Sequence, residues 1–196
     1  MNLPNKLTVL RILLIPVFIV FVSLPQLPAG HLLAGIVFSI ASFTDYLDGH
    51  IARKRAIVTD FGKFADPLAD KMLTTVAFLY MMQDGVCHPL VLVAILAREF
   101  AVSGLRMVAS AAPGGAVIAA NIWGKVKTVV QMLTIIFYYA ASGIMRLYYT
   151  GIQPLHAYGA WLYTFTNVLC WVVAAITLVS GVQYLWANRR FIDTTK

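Results

Sequence analysis

Four aspartates in one short stretch are the residues of this chain best suited to chemistry. Asp45, Asp48, Asp66 and Asp70 make up half of its eight acidic residues. The rest of the chain is strongly apolar, with 60% hydrophobic and only 12% charged residues. Because a carboxylate close to a bilayer is costly, it usually serves a function. These aspartates are therefore the candidate site.

The first two aspartates share a helix stripe with two small residues. At about 100° per residue, Asp48, Gly49 and Ala52 each fall within about 60° of Asp45 on a helix. Small side chains let a bulky ligand approach the backbone closely. The pattern therefore predicts a stripe that faces a ligand.

The second two aspartates share one face of the next helix. Asp66 and Asp70 are four positions apart, and Gly62 joins their face if the helix begins early enough. The segment between Arg53 and Asp66 is long enough for the two helices to return antiparallel on the same side. We therefore expect the four carboxylates to converge.

Four converging carboxylates would not all stay ionised without cations beside them. Hard oxygen ligands select Mg²⁺, Mn²⁺ or Ca²⁺, and two divalent ions would balance the four charges. Such ions keep open coordination positions, which phosphate oxygens commonly occupy. The structural alternative is an N-cap at Asp66 and an ion pair between Arg53 and Asp45 or Asp48. Four aspartates with small residues on their stripe favour the metal site.

The elements that must position these residues are membrane helices. Charged residues are about half as frequent as in soluble domains. We expect one all-α membrane domain over residues 1–196, with an uncleaved first span rather than a signal peptide, because no small-residue cleavage site clearly ends the first apolar run. The six predicted spans cover about 8–24, from near 31 into the first aspartates, 64–83, 86–111, 122–143 and 157–186.

The basic residues predict the orientation of these spans. Nearly all of the 15 Lys and Arg residues fall on the side of the aspartates, and the opposite loops contain only Arg146. By the positive-inside rule, both termini and the aspartates face the cytoplasm. The net charge of +7 is then explained by membrane topology and does not call for a nucleic-acid partner.

Two segments carry a resemblance to a known family. The aspartate stretch has the pattern D-x-x-D-G-x-x-A-R, eight residues, then G-x-x-x-D-x-x-x-D, and it resembles the signature of the CDP-alcohol phosphatidyltransferases. The N-terminal run P-N-K-L-T-V-L-R is similar to the P-N-x-L-T-x-x-R segment of its members. The six-span layout with cytoplasmic termini is also that of the family.

The resemblance implies a reaction and a role for each aspartate. Asp45, Asp48 and Asp66 would hold two divalent cations, Mg²⁺ or Mn²⁺, with Asp70 contributing. The metals would bind the diphosphate of CDP-diacylglycerol. Asp70 would deprotonate the acceptor hydroxyl, whose oxygen attacks phosphorus while CMP leaves. The implied CDP-diacylglycerol residues are Gly49, Ala52, Arg53, Gly62, Asn5 and Thr8.

The second half of the chain bears on the acceptor. Its runs A-R-E-F-A-V-S-G-L-R and W-G-K-V-K-T-V-V-Q are similar to bacterial members of the family that use sn-glycerol 3-phosphate. The resemblance therefore implies a bacterial inner-membrane protein with a cytoplasmic active site. It also implies a homodimer.

A phosphate-bearing acceptor needs a basic pocket beside the acidic one. The candidates are Arg98, Arg106, Lys125 and Lys127. The two lysines lie about 200° apart on a regular helix, so only one can face the pocket. The sequence favours Lys125, which shares a face with Thr128. Arg106 and Lys125 are the preferred pair.

Several alternatives remain open at this stage. Arg98 could simply pair with Glu99, and Lys127 could contact anionic lipid. Another acceptor would make the protein similar to cardiolipin synthases or to phosphatidylinositol- or phosphatidylserine-forming members. A divalent-cation transporter would need acidic residues through the outer half of several spans. That half offers little beyond Asp84.

Overall fold

The structure of the protein, a computed structural model, describes part of the chain. The backbone is described over residues 3–55, 60–111, 118, 121–148 and 156–191. Side chains are described over residues 5–45, 68–110, 118, 121–148, 159–189 and 191.

Long helices account for almost all of the described backbone, as the apolar runs predict. A 3₁₀ turn, Arg189–Phe191, follows the last of them. The helices are α1 (Leu3–Ser23), α2 (Gly30–Arg55), α3 (Asp60–Gln83), α4 (Pro89–Ala111), α5 (Ile122–Tyr148) and α6 (His156–Ala187). The predicted all-α class is confirmed for the described part of the chain.

The boundary between α3 and α4 differs slightly from the prediction. The amides of Val86 and Cys87 donate to the carbonyl of Met81 at 3.0 and 3.2 Å, and so they complete the end of α3. Gly85 has a φ of 78°, which a residue with a Cβ adopts only with strain. Pro89 then begins α4, where its missing N–H costs little.

Three helices in the described part are long and apolar enough to cross a membrane. These windows are Asn5–Ser23, Ile122–Tyr148 and Gly159–Ala187, with mean hydropathies of 2.2, 1.5 and 2.0. Gly30–Asp45 is apolar but shorter. Charged side chains interrupt the apolar character of α3 and α4. Composition therefore supports a membrane protein and identifies three candidate spans.

Aromatic side chains from α1, α2 and α5 meet in the centre of the core. The ring of Phe18 is fully buried and meets Tyr139 edge-on at 5.1 Å. The ring centroid of Phe38 lies 6.4 Å from that of Phe18. A Cβ on Gly143 would lie 2.3 Å from the backbone of Leu32, so only glycine permits this approach of α5 to α2.

The helices alternate in direction, which brings distant parts of the sequence to one end of the bundle. This end, called the aspartate end, contains the starts of α1, α3 and α5 and the ends of α2, α4 and α6. Contacts between Arg11 and Asp45, and between Glu99 and Lys127, lie there. The aspartate end therefore brings together the predicted donor and acceptor residues that the structure describes.

Candidate active site

A cavity of about 420 Å³ opens between α3, α4 and α5 at the aspartate end. Charged side chains dominate its polar lining. They are Asp70, Lys71, Arg98, Glu99, Arg106 and Lys127. Three of the four residues predicted to bind the acceptor phosphate are among them.

Asp70 is the aspartate of the stretch that lines this cavity among the described side chains. Its side chain lines the cavity from α3. The charges of Asp45 on α2 and Glu99 on α4 are both near enough to act on it. A carboxylate in this position can receive a proton from a group in the cavity and can also contribute to a site beside α2.

Asp45 pairs with an arginine of the N-terminal segment. Nη1 of Arg11 lies 2.7 Å from Oδ1 of Asp45, and the arginine side chain is only 1% exposed. Thr8, one turn earlier on α1, is fully buried, and Asn5 is half-buried. The segment predicted to contribute to the donor site therefore lies along α2 at Asp45.

The remaining donor residues can be placed only on their helices. The backbones of Asp48, Gly49, Ala52 and Arg53 lie in α2, and those of Gly62 and Asp66 lie in α3. Their side chains lie outside the described residues. The convergence of four carboxylates therefore stays a prediction.

The two described aspartates offer the type of ligand atom that a divalent cation binds. Asp45 and Asp70 supply carboxylate oxygens, the ligands that Mg²⁺ and Mn²⁺ prefer. Among the described side chains, no group of three or more His, Cys, Asp or Glu residues could hold a metal ion. Two of the four predicted ligands, Asp48 and Asp66, are outside that set.

Glu99 organises the cationic side of the cavity. Its Oε1 accepts hydrogen bonds from Nζ of Lys127 at 2.6 Å and from Nη1 of Arg98 at 2.9 Å. Nζ of Lys71 lies 4.0 Å from the other oxygen and donates to Ser103. The pairing of Arg98 with Glu99 considered from the sequence is present, but both residues also line the cavity.

Helix α6 holds the two arginines. Nη2 of Arg98 donates to Oγ of Ser180 at 3.0 Å, and Nε of Arg106 donates to Oη of Tyr184 at 2.9 Å. Gly181 leaves room for the side chain of Arg98, because a Cβ at this position would lie 2.9 Å from its Cγ. Sequence reasoning missed these α6 residues, because they lie in a run typical of an apolar span.

The orientation of α5 reverses the predicted choice between its two lysines. Lys127 is 4% exposed and lines the cavity, whereas Lys125 is exposed and is not among the lining residues. Glu99 on α4 accounts for this, because its carboxylate pairs with Lys127. The burial of Lys127 also argues against the lipid contact considered for it. Whether either lysine binds an acceptor stays a prediction.

The cavity lining carries an excess of positive charge. Among the side chains that the structure describes, four basic ones face it, against the two carboxylates of Asp70 and Glu99. The formal excess of two positive charges would complement a doubly charged phosphate monoester. A neutral polyol or a zwitterion would leave that excess uncompensated.

Comparison with known proteins defines the class to which this fold and site belong. The family model for CDP-alcohol phosphatidyltransferase matches residues 1–179. The chain therefore belongs to the CDP-alcohol phosphatidyltransferase family, and the protein is a transferase of phospholipid biosynthesis. This confirms the resemblance inferred from the aspartate stretch.

Several relatives that share one name are similar to this chain over most of their length. The chain is 37% identical to a CDP-diacylglycerol–glycerol-3-phosphate 3-phosphatidyltransferase of Bacillus subtilis, over 99% of this chain and 98% of the relative. It is 32% identical to the protein of that name from Rickettsia bellii, over 97% of each chain. A Pseudomonas fluorescens protein of the same name is 39% identical over 69% of this chain and 71% of its own.

Proposed function

We propose that this protein transfers the phosphatidyl group from CDP-diacylglycerol to sn-glycerol 3-phosphate. The products are phosphatidylglycerophosphate and CMP. The observation that carries the proposal is the cavity beside Asp70, whose lining, as far as its side chains are described, has two more positive than negative charges. The names of the relatives support the same acceptor.

The donor side of the proposed site is the aspartate stretch with the N-terminal segment. Two divalent cations, Mg²⁺ or Mn²⁺, would be held by Asp45, Asp48, Asp66 and Asp70. When bound, they would stabilise the charge of the diphosphate and of the leaving group. The residues proposed to contact CDP-diacylglycerol are Gly49, Ala52, Arg53, Gly62, Asn5 and Thr8.

The acceptor side is the cavity itself. Arg98, Arg106 and Lys127 would bind the phosphate of glycerol 3-phosphate, with Lys125 left on the exposed face of α5. Glu99 holds Arg98 and Lys127 in place, so their charges are positioned before the acceptor arrives. Such prior positioning lowers the ordering cost of binding.

Asp70 would act as the general base. Its carboxylate would take the proton of the acceptor hydroxyl, and the hydroxyl oxygen would form a bond to the phosphorus that carries the diacylglycerol. The bond between that phosphorus and the CMP oxygen would break, and CMP would leave with its electron pair. The position of Asp70 at the cavity, near enough to Asp45 for their charges to interact, supports this role.

The proposed setting is a bacterial inner membrane. We propose one domain over residues 1–196 with six spans, cytoplasmic termini and an active site that opens to the cytoplasm. Three candidate spans and the basic residues at the aspartate end support this topology. The family resemblance further suggests a homodimer.

Measurement of CMP release with a panel of acceptors tests the proposal. Purified protein would be incubated with CDP-diacylglycerol, Mg²⁺ or Mn²⁺, and either glycerol 3-phosphate, inositol, serine or phosphatidylglycerol. We expect CMP release with glycerol 3-phosphate and no release when the divalent ion is chelated.

The other outcomes identify the alternatives. Release with phosphatidylglycerol alone would indicate a cardiolipin synthase. Release with inositol or serine alone would indicate the corresponding members of the family. An absence of CMP with every acceptor would refute the transfer reaction and would favour the alternative of a divalent-cation transporter.

A further inference from the structure

Gln131 is the uncharged polar residue of the cavity whose hydrogen bonding is incomplete. The uncharged polar side chains that line the cavity are Thr74, Ser103, Thr128 and Gln131. Gln131 is only 3% exposed, and its carbonyl oxygen Oε1 has no hydrogen-bond partner among the described residues.

The three hydroxyl side chains that line the cavity differ from Gln131, because each of them has a hydrogen-bond partner. Thr74 donates to the carbonyl of Asp70 at 3.1 Å, and Thr128 donates to the carbonyl of Gly124 at 3.0 Å. Ser103 accepts from Nζ of Lys71. Among the described uncharged side chains that line the cavity, the amide of Gln131 alone is left with a buried acceptor atom that has no partner.

A buried carbonyl oxygen without a partner destabilises the folded protein, because it has lost its hydrogen bonds to water without replacing them. Such groups are rare in folded proteins, and a site that binds a polar ligand is one reason for their presence. Gln131 lies one turn beyond Lys127 on α5, so the two side chains share a face. A ligand that places its phosphate at Lys127 can therefore present its neighbouring carbons to Gln131.

We infer that the Gln131 amide binds the acceptor hydroxyl that is not consumed in the reaction, and so selects a glycerol backbone. The inference rests on the proposed function, since it assigns a ligand to the same cavity. Glycerol 3-phosphate has two hydroxyls, of which one attacks phosphorus and one remains. A hydroxyl both donates and accepts, so it complements the amide in either of its two orientations.

The test compares two acceptors and two variants. The analogue 3-hydroxypropyl phosphate keeps the phosphate and the primary hydroxyl of glycerol 3-phosphate but lacks the middle hydroxyl. Gln131→Met preserves the length and approximate volume of the side chain but removes the amide. Thr134→Val is the matched control, because Thr134 is also buried on α5 but does not line the cavity.

The wild-type protein should prefer glycerol 3-phosphate to the analogue by about 10- to 100-fold in kcat/KM. Gln131→Met should reduce this preference to about threefold or less, by lowering kcat/KM for glycerol 3-phosphate alone. Thr134→Val should keep the wild-type preference. Without ligand, Gln131→Met should melt at the wild-type temperature or above, because it removes a buried group without a partner.

An unchanged preference in Gln131→Met would overturn the inference, and so would an equal loss with both acceptors. Neither result would affect the proposed function if wild-type protein releases CMP with glycerol 3-phosphate. Conversely, if the wild-type protein does not use glycerol 3-phosphate, the proposed function fails, and the Gln131 assignment fails with it.

Discussion

Asp84 lies at the end of the bundle opposite the aspartates, where its Oδ2 accepts a hydrogen bond from Oη of Tyr138 at 2.6 Å. The same oxygen lies 3.8 Å from Nε2 of His31, and Oδ1 lies 3.8 Å from Nη2 of Arg146. At the aspartate end, Glu99 contacts three cationic side chains. Each end thus places one carboxylate among partners from several helices, but only the residues around Glu99 line the cavity.

The two clusters differ in their charge balance. Around Asp84, one carboxylate faces one arginine, and Nδ1 of His31 is hydrogen-bonded to Ser142 at 2.9 Å. These groups pair with one another, and their contacts connect α2, the end of α3 and α5. Around Glu99 the described side chains have an excess of positive charge and face an open cavity. Ion pairing is therefore common to both clusters, and the uncompensated charge beside a cavity is what distinguishes the candidate site.

Removal of the Asp70 carboxylate should produce the largest change at the aspartate end. Asp70→Asn keeps the shape of the side chain but cannot accept a proton, so kcat should fall by about 10²- to 10⁴-fold. CMP release measures turnover, and retention of labelled CDP-diacylglycerol measures donor binding, which should persist. A loss of donor binding would instead make Asp70 chiefly a metal ligand.

The two lysines of α5 provide a matched pair. Lys127→Met removes a charge that lines the cavity, so KM for glycerol 3-phosphate should rise by about 10- to 100-fold. Lys125→Met removes the same charge from the exposed face and should change KM by about twofold or less. KM for CDP-diacylglycerol should be unchanged in both. A larger effect at Lys125 would contradict the cavity assignment.

The contact between Tyr184 and Arg106 should have a smaller effect on activity. Tyr184→Phe keeps the ring beneath the guanidinium but removes the oxygen that Nε of Arg106 donates to. We expect KM for glycerol 3-phosphate to rise by about 3- to 10-fold with little change in kcat. Tyr163→Phe, at a 47% exposed position of the same helix, is the control. A fall in kcat with an unchanged KM would argue against a positioning role.

Disruption of the opposite cluster should affect stability rather than acceptor binding. Asp84→Asn weakens the contacts with Tyr138 and Arg146, so the melting temperature in detergent should fall by about 2–10 °C. KM for glycerol 3-phosphate, measured below that transition, should stay within about twofold of wild type. A selective rise in KM would show that the two ends are coupled and would weaken the contrast between them.

The sequence predicts the helices well because apolar runs, glycine and proline mark them directly. It also predicts Asp70 as a candidate site residue, since spacing within one helix is a local property, and the structure places Asp70 at the cavity. The sequence favours Lys125 over Lys127 because of a neighbour within α5, whereas the structure places Lys127 at the cavity. The orientation is set by Glu99 on another helix, which the periodicity of α5 does not report.

The α6 contacts were missed for the same physical reason. Ser180 and Tyr184 lie in an apolar helix, and their role depends on which helix packs beside them. Gln131 had a usable signal, because it lies four residues after Lys127 and therefore shares its face. That signal becomes informative only once Lys127 is known to face the cavity.

The pair between Arg11 and Asp45 has a consequence for how the chain enters the bilayer. An arginine within an apolar helix costs about 2.5–3.5 kcal/mol to insert when it stands alone at the membrane centre, and less near the interface. Arg11 lies in a candidate span, and its partner belongs to the next helix. We therefore expect α1 and α2 to enter the membrane together as a hairpin, so that part of the donor site would assemble while the rest of the chain is still being synthesised.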